Sequence, residues 1–210
     1  MNILHIDCSP REASYSRSLS AAIVDRLVDA QSGARIMRRD LGRDPIPHPD
    51  AGYAAALASP QALAGGSRDD AVLLSEQLIR EIEGADVLVI GTPMNNFTVP
   101  SVFKAWIDQV LRMGRTMGKG PTGEKFGLLR DRPVYIGIAS GGVFHGDGAR
   151  QPDFLIPYLI AAFRCVGLTS LQFFPLQATA FLDAEQLAAS QDQLLATLDG
   201  SMLAAPLSLP

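Results

Sequence analysis

Residues 86–91 limit most strongly what this chain can fold into. They read D-V-L-V-I-G, a continuous aliphatic run in which polar and apolar side chains do not alternate. A strand of this kind is buried on both faces, as in a parallel sheet that helices cover on each side. The run therefore predicts an α/β domain.

The rest of the chain shows strand and helix patterns in alternation. Strand-like runs occupy residues 2–7, 34–39, 86–91, 133–139 and 170–176, and helical periodicity occupies residues 16–29, 70–83, 151–166, 183–203 and a segment that Pro100 opens. Parallel strands need crossover helices, and right-handed crossovers place those helices on both sides of the sheet. We therefore predict a three-layer, doubly wound fold with a five-stranded parallel sheet.

Length and the gaps in this pattern define the expected domain organisation. The 210 residues suit a single domain over residues 1–205, with residues 206–210 as a loose tail. Residues 41–60, which contain several prolines, and the glycine-rich residues 114–132 are interpreted as irregular excursions. Ser16 or Ser18 is the expected N-cap of the first helix.

Charge, hydropathy and ligand spacing argue against several classes of function. The net charge is −4 with no basic stripe, which disfavours a nucleic acid partner. No run of about 20 apolar residues predicts a membrane span, and no secretory signal is recognised, so we expect a cytoplasmic protein. The three histidines lack zinc-ligand spacing, and we predict no metal site. Cys8 and Cys165 are interpreted as small buried side chains, with a bridge between them left open.

The loop after the first strand has the composition of an anion site. In an open parallel sheet, ligands bind beyond the carboxyl ends of the strands, where the strand order reverses. Residues 8–18 lead into a helix N-terminus and carry four serines and two arginines: Ser9, Ser14, Ser16, Ser18, Arg11 and Arg17. Free amides, the helix dipole and hydroxyls favour a monophosphate there, and no G-x-G-x-x-G dinucleotide motif is present. A serine-rich capped loop that binds nothing is the alternative.

Two further loops suit a flat polar ring. After the third strand, Asn95 and Asn96 stand between Met94 and Phe97, which combines amide groups with apolar contact. After the fourth strand, Gly141 and Gly142 follow Ser140 and allow backbone amides to approach a ligand. Either loop alone is also compatible with an ordinary turn. Together with a phosphate loop at the same sheet edge, they predict an FMN site.

Long motifs then identify a family resemblance. S-P-R-E-A-S-Y-S-R-S, A-D-V-L-V-I-G-T-P-M-x-N-F-x-V-P-S-x-x-K-A-W-I-D and S-G-G-V-F-x-x-D-G make nearly the whole chain similar to the FMN-dependent NADH-azoreductases, within the flavodoxin-like quinone reductases. The M-x-N-F segment followed by K-A-W-I-D is specific, whereas the other two are supportive. The resemblance implies a flavodoxin-like fold and a homodimer with its pocket at the subunit interface.

The resemblance also implies roles for individual residues. The expected phosphate contacts are Ser9, Ser16, Arg17 and Ser18. Met94, Asn95, Asn96 and Phe97 are expected to wrap the isoalloxazine, and Ser140, Gly141, Gly142 and Val143 to run along its pyrimidine side. His145 and Phe163 match positions near the substrate pocket. Asn95 departs from the family, which usually has tyrosine at this position.

The implied activity is a two-step hydride transfer. NADH or NADPH reduces the flavin and leaves, and a quinone or azo compound then takes its place and the hydride. The flavin carries the chemistry, so no nucleophilic side chain is required. His145 is a candidate proton donor, as are solvent and a loop hydroxyl. Two alternatives remain open: a flavin-binding electron carrier or regulatory module without turnover, and a nucleotide-binding protein with no redox role.

Overall fold

The computed structural model describes residues 1–31, 33–58 and 70–203 of the chain. Within these ranges the strands are β1 (Asn2–Asp7), β2 (Arg35–Asp40), β3 (Val87–Pro93), β4 (Met117–Lys119), β5 (Lys125–Gly127), β6 (Val134–Ala139) and β7 (Leu171–Leu176). Five of them form one parallel sheet in the order β2-β1-β3-β6-β7. The chain moves from β1 to one side to make β2 and then to the other side to make β3. The strand order therefore reverses between β1 and β3.

Helices cover both faces of this sheet. The α-helices of the described ranges are α1 (Tyr15–Ala30), α2 (Ala51–Leu57), α3 (Leu73–Glu83), α4 (Ser101–Val110), α5 (Leu155–Val166) and α6 (Ala184–Ala196). Apolar side chains of α1 and α6 pack on one face, and those of α3, α4 and α5 pack on the other. The central strand β3 is buried at six of its seven positions, as its aliphatic sequence requires. The predicted three-layer, doubly wound fold with five parallel strands is confirmed.

Several helices begin or end at residues other than those predicted. The N-cap of α1 is Ser14 rather than Ser16 or Ser18. Helix α5 begins at Leu155 instead of residue 151, because the Asp153 carboxylate accepts hydrogen bonds from the N–H groups of Leu155 and Ile156. The predicted helix over 183–203 ends at Ala196, and a separate 3-10 turn, Gly200–Leu203, follows it. Residues 70–72 are likewise a 3-10 turn that precedes α3.

The two predicted excursions contain regular structure. Residues 41–60 include α2, where the Asp50 side chain caps the helix by accepting a hydrogen bond from the Tyr53 N–H. Residues 114–132 include the antiparallel pair β4–β5, which contacts the C-terminal end of α5. The predicted tail at residues 206–210 lies outside the described residues. No helix in the described ranges is both long and apolar enough to cross a membrane.

Candidate functional site

The loops that follow β1, β3 and β6 meet at the carboxyl edge of the sheet. The Cys8 N–H donates to the Gly91 carbonyl over 2.9 Å, and the Met94 N–H donates to the Ala139 carbonyl over 2.8 Å. A Cβ atom at Gly91 would lie 2.6 Å from the Ser16 carbonyl oxygen, so glycine at this position lets α1 pack directly on β3. The predicted phosphate loop is thereby held beside the point where strand order reverses.

The N-terminus of α1 presents unpaired donors. The N–H groups of Tyr15, Ser16 and Arg17 donate to no acceptor among the described residues, as is usual in the first turn of a helix. The hydroxyls of Ser9 and Ser16 are buried, and the Ser14 and Ser16 hydroxyls lie 3.0 Å apart. Amides, hydroxyls and the positive end of the helix dipole converge here, which is the arrangement that binds a phosphate.

Arg17 contributes differently from the sequence-based expectation. Its guanidinium donates to the Ser9 carbonyl from Nε over 2.9 Å and to the Asp40 carboxylate from Nη1 over 2.7 Å. These bonds tie α1 to the loop and to the end of β2. An anion in the loop would therefore meet the Arg17 backbone N–H rather than a free guanidinium.

A buried carboxylate lies beneath this loop at the end of β1. Asp7 is 1% exposed, accepts from Arg38 over 2.8 Å and from the Ser20 hydroxyl over 3.1 Å, and lies 3.4 Å from Arg17. Burial by itself would raise its pKa, but hydrogen bonding and charge from His5, Arg38 and Arg17 lower the pKa to about 2. The negative charge of Asp7 is therefore neutralised within the protein and would not repel an anion in the predicted phosphate loop.

The second of the three loops, which follows β3, is a tight hairpin in a strained conformation. Asn95 and Thr98 exchange two backbone hydrogen bonds of 2.9 and 3.0 Å, and the two residues between them, Asn96 and Phe97, have φ values of 48° and 71°. Two left-handed residues in succession are typical of a type I′ turn, and they are costly for side chains other than glycine. The turn leaves Asn95, Asn96 and Phe97 exposed at the edge of the sheet.

The first part of the third loop has its carbonyls occupied, and the amides of residues 141–143 are free. The carbonyls of Ser140, Gly141 and Gly142 accept hydrogen bonds from residues 178–180, whereas the N–H groups of Gly141, Gly142 and Val143 donate to no other described residue. The Gln151 side chain joins this loop to the second, with Nε2 3.0 Å from the Ser140 hydroxyl and 3.3 Å from the Met94 sulfur. Free amides beside a polar side chain suit the oxygen and nitrogen atoms at the rim of a heteroaromatic ring.

The two expected substrate-pocket residues lie in different environments. His145 is exposed at the end of the third loop. Phe163 is 2% exposed in the hydrophobic core, where its ring packs edge-on against Trp106 with centroids 6.5 Å apart. His145 therefore lies in the loop after β6, whereas Phe163 packs in the core, and a substrate contact at either residue stays a prediction. No group of three metal-ligating side chains is present in the described part of the chain.

No sequence motif marked the two aspartates that hold Arg17 or the loop after β7. Asp7 and Asp40 hold Arg17 in place, and their sequence positions mark only the ends of strands. The loop after β7, residues 177–182, carries no glycine, cationic or serine-rich motif, yet it supports the third loop throughout. Its position at the carboxyl end of a strand was the one available indication.

The fold and the site define a flavodoxin-like nucleotide-binding domain, and comparison with known proteins agrees. The family model described as a flavodoxin-like fold matches residues 1–198. FMN-dependent NADH:quinone oxidoreductase 4 of Pseudomonas fluorescens is 43% identical over 209 residues, which cover 98% of each chain. FMN-dependent NADH:quinone oxidoreductase 2 of Cupriavidus pinatubonensis is 44% identical over 171 residues, 81% of this chain and 82% of the relative. The chain belongs to the flavodoxin-like family of FMN-dependent NADH:quinone oxidoreductases.

Solved structures share the fold at lower sequence identity. The azoreductase AzrA superposes with a TM-score of 0.80 at 21% identity, over 93% of this chain and 98% of that one. The FMN-dependent NADH-azoreductase of Bacillus anthracis, solved in complex with FMN, gives a TM-score of 0.76 at 24% identity, over 93% and 97% of the two chains. The predicted family resemblance and the flavodoxin-like fold are confirmed.

Proposed function

We propose that this chain binds FMN across the three loops and transfers hydride from a reduced nicotinamide nucleotide to quinones or azo compounds. The observation that carries the proposal is the pairing of two sets of free amides at one sheet edge. One set, at residues 15–17, opens a helix and suits a phosphate; the other, at residues 141–143, suits the rim of a flat ring. The relatives named FMN-dependent NADH:quinone oxidoreductases, up to 44% identical, support the same assignment.

The residues that would hold FMN form three groups. Ser9, Ser16, Arg17 and Ser18 would bind the phosphate, with Ser16 and Arg17 also offering backbone N–H groups. The hairpin Met94, Asn95, Asn96 and Phe97 would contact the isoalloxazine, and Ser140, Gly141, Gly142 and Val143 would follow its pyrimidine edge. When bound, FMN supplies the redox chemistry, accepting hydride from NADH or NADPH and passing it to the acceptor.

The protein groups around that chemistry orient the reactants and manage charge. The fixed amides at residues 141–143 would be held ready to stabilise negative charge on a flavin bound beside them, because they would need no reorganisation. The exposed His145 imidazole lies at the end of the same loop and is proposed to deliver a proton to the reduced acceptor. No side chain has to form a covalent bond with substrate.

Assembly and location complete the proposal. Phe126 and Leu128, on and beside β5, are 48% and 44% exposed in the single chain, and large exposed apolar side chains often mark subunit contacts. We propose a homodimer in which this region faces the second subunit and both chains line the substrate pocket. The proposed location is the cytoplasm, where Cys8 and Cys165, which are both unbridged, would stay reduced.

Initial-rate kinetics test the activity and its main alternative. With FMN-loaded protein, NADH and benzoquinone should give parallel double-reciprocal lines, because the two substrates use one place in turn. An azo dye and a nitroaromatic compound, assayed in the same way, rank the acceptors, and FMN-free protein is the control. Protein that retains FMN but consumes no NADH with any acceptor would favour an electron carrier or regulatory module and contradict the proposal.

A further inference from the structure

The loop that follows β7 supports the third loop of the site along its length. The N–H groups of Ala178, Thr179 and Ala180 donate to the carbonyls of Gly142, Ser140 and Gly141 over 3.2, 3.0 and 3.3 Å. Ala178 has a φ of 59°, a left-handed conformation that alanine rarely adopts. Each of these three carbonyls belongs to the same peptide unit as one of the free amides of residues 141–143. The loop after β7 therefore determines how those peptide planes are oriented.

Gln177 fixes the same segment from its other end. Its side-chain Oε1 accepts hydrogen bonds from the N–H groups of Phe144, over 2.8 Å, and His145, over 2.7 Å. Its Nε2 lies 3.3 Å from the His145 carbonyl oxygen, to which it donates. One half-buried side chain therefore holds the backbone of two residues immediately after Val143.

We infer that Gln177 is a positioning residue for the flavin ring, acting through the backbone of the third loop. The inference rests on the proposed function, since it assigns the amides of Gly141, Gly142 and Val143 to the pyrimidine edge of FMN. Loss of the Gln177 bonds would let the end of this loop move and would misalign the free amides. Preorganised donors stabilise charge only while they keep their direction, so the reduced flavin loses more than the oxidised flavin.

Strand β7, which precedes Gln177, supplies a matched control. The Gln172 side chain donates from Nε2 to the Thr197 carbonyl over 2.7 Å and accepts at Oε1 from the Asp199 N–H over 3.0 Å. Gln172 and Gln177 are thus both half-buried glutamines that join β7 to a neighbouring loop. Gln172 lies near the opposite end of the strand, away from the three loops. Its replacement tests the loss of such bonds without touching the site.

The experiment compares Gln177→Leu with Gln172→Leu in FMN-loaded protein. Three quantities are measured: dissociation constants of FMN and riboflavin, the midpoint potential of the bound flavin, and the free energy of unfolding. Both variants should lose stability. Gln177→Leu alone should weaken the binding of FMN and riboflavin by the same factor, roughly tenfold for the loss of its three neutral hydrogen bonds to the loop, and should make the midpoint potential more negative. Gln177→Glu, which keeps the accepting oxygen, should restore riboflavin affinity to within about threefold of wild type.

The outcomes separate this inference from the proposed function. Wild-type protein that binds no flavin would overturn both. Wild-type protein that binds FMN, with a Gln177→Leu variant of unchanged affinity and potential, would overturn the role of Gln177 and leave the function standing. A Gln172→Leu variant with the same flavin defects would also overturn it, because the effect would then be general destabilisation.

Amide exchange in the wild-type protein gives a test that needs no variant. Phe144 and His145 amides should exchange slowly both with and without FMN, because Gln177 accepts from them in either state. The amides of Gly141, Gly142 and Val143 should exchange fast in the free protein and slow down when FMN is added. Fast exchange of Phe144 and His145 in the free protein would overturn the inference.

Discussion

The Arg17 guanidinium and the Asp40 carboxylate form a hydrogen-bonded ion pair, with Nη1 2.7 Å from Oδ2, that joins the first turn of α1 to the end of β2. The same guanidinium donates to the Ser9 carbonyl over 2.9 Å. The loop between β1 and α1 is therefore braced before any ligand arrives. A phosphate in this loop would be bound by amides and hydroxyls at the positive end of the α1 dipole.

The buried carboxylate beneath the loop gives the stability a defined pH dependence. Bonding to Arg17 lowers the pKa of Asp40, and Asp7 has a pKa of about 2 against 3.8 for an unperturbed group. Because the pKa of Asp7 is lower in the folded than in the unfolded protein, its contribution to the free energy of unfolding is complete above about pH 5 and is lost as the pH falls toward 2. The free energy of unfolding, measured with urea, should therefore differ between wild type and Asp7→Asn by about 2 kcal/mol less at pH 2 than at pH 5. A constant difference would contradict this assignment.

Replacing Ser16 and Ser18 together with alanine should weaken FMN binding selectively. Each charge-assisted hydrogen bond lost to the phosphate is worth about 1.5–3 kcal/mol. Riboflavin, which has no phosphate, should bind the double variant as tightly as it binds wild type. Ser190→Ala, which removes a hydroxyl bonded to the Gln186 carbonyl on α6, is the control. Fluorescence titration that finds equal FMN affinity in both variants would remove the serines from the site.

Asn95 should set the preference among acceptors. It is exposed on the hairpin after β3 and stands where the resembling family usually has tyrosine. Aromatic contact is worth about 0.5–1.5 kcal/mol beyond burial, so Asn95→Tyr should raise kcat/KM for a large azo dye relative to benzoquinone by about threefold to tenfold. Asn95→Gln, which keeps the amide, should leave the ratio near its original value. A ratio that stays constant in Asn95→Tyr, or moves toward the quinone, would show that Asn95 has no such role.

The β4–β5 hairpin should form part of a dimer interface. Phe126→Glu places a charge on a side chain that is 48% exposed in the single chain, and desolvating that charge would oppose association. Light scattering should give the mass of two chains for wild type and of one chain for the variant, with reduced activity. Leu73→Glu, at a 57% exposed apolar position on α3, should remain dimeric. Fully active wild-type protein with the mass of one chain at micromolar concentration would contradict the proposal.

The large elements of the fold could be predicted because their signals are local. β3 is a continuous aliphatic run, and α4 combines Pro100 at its start with an apolar face that includes Phe103 and Trp106. The strands β4 and β5 have three residues each and depend on pairing with one another, so no periodicity in the sequence predicts them. The start of α5 was predicted too early, because a single side chain sets it. The Asp153 carboxylate accepts hydrogen bonds from N–H groups in the first turn of the helix.

The location of the candidate site could be predicted, because it follows from the order of the strands in the sheet. The carboxyl ends of β1, β3 and β6 lie at one edge in any sheet of this order, so the serine loop, the hairpin and the glycine loop had to converge. The support from Gln177 was not predictable, because it bonds to Phe144, 33 residues earlier in the chain. Arg17 was expected to contact phosphate, and its pairing with Asp40 depends on the register of β1 with β2.

The central claim, that this protein passes hydride through bound FMN, is tested most directly by one anaerobic absorbance experiment. Purified protein loaded with FMN should show the yellow flavin spectrum, which should bleach on addition of one equivalent of NADH. Subsequent addition of benzoquinone, still without oxygen, should restore the oxidised spectrum. Protein that holds FMN but whose spectrum does not change with excess NADH or NADPH would contradict the account.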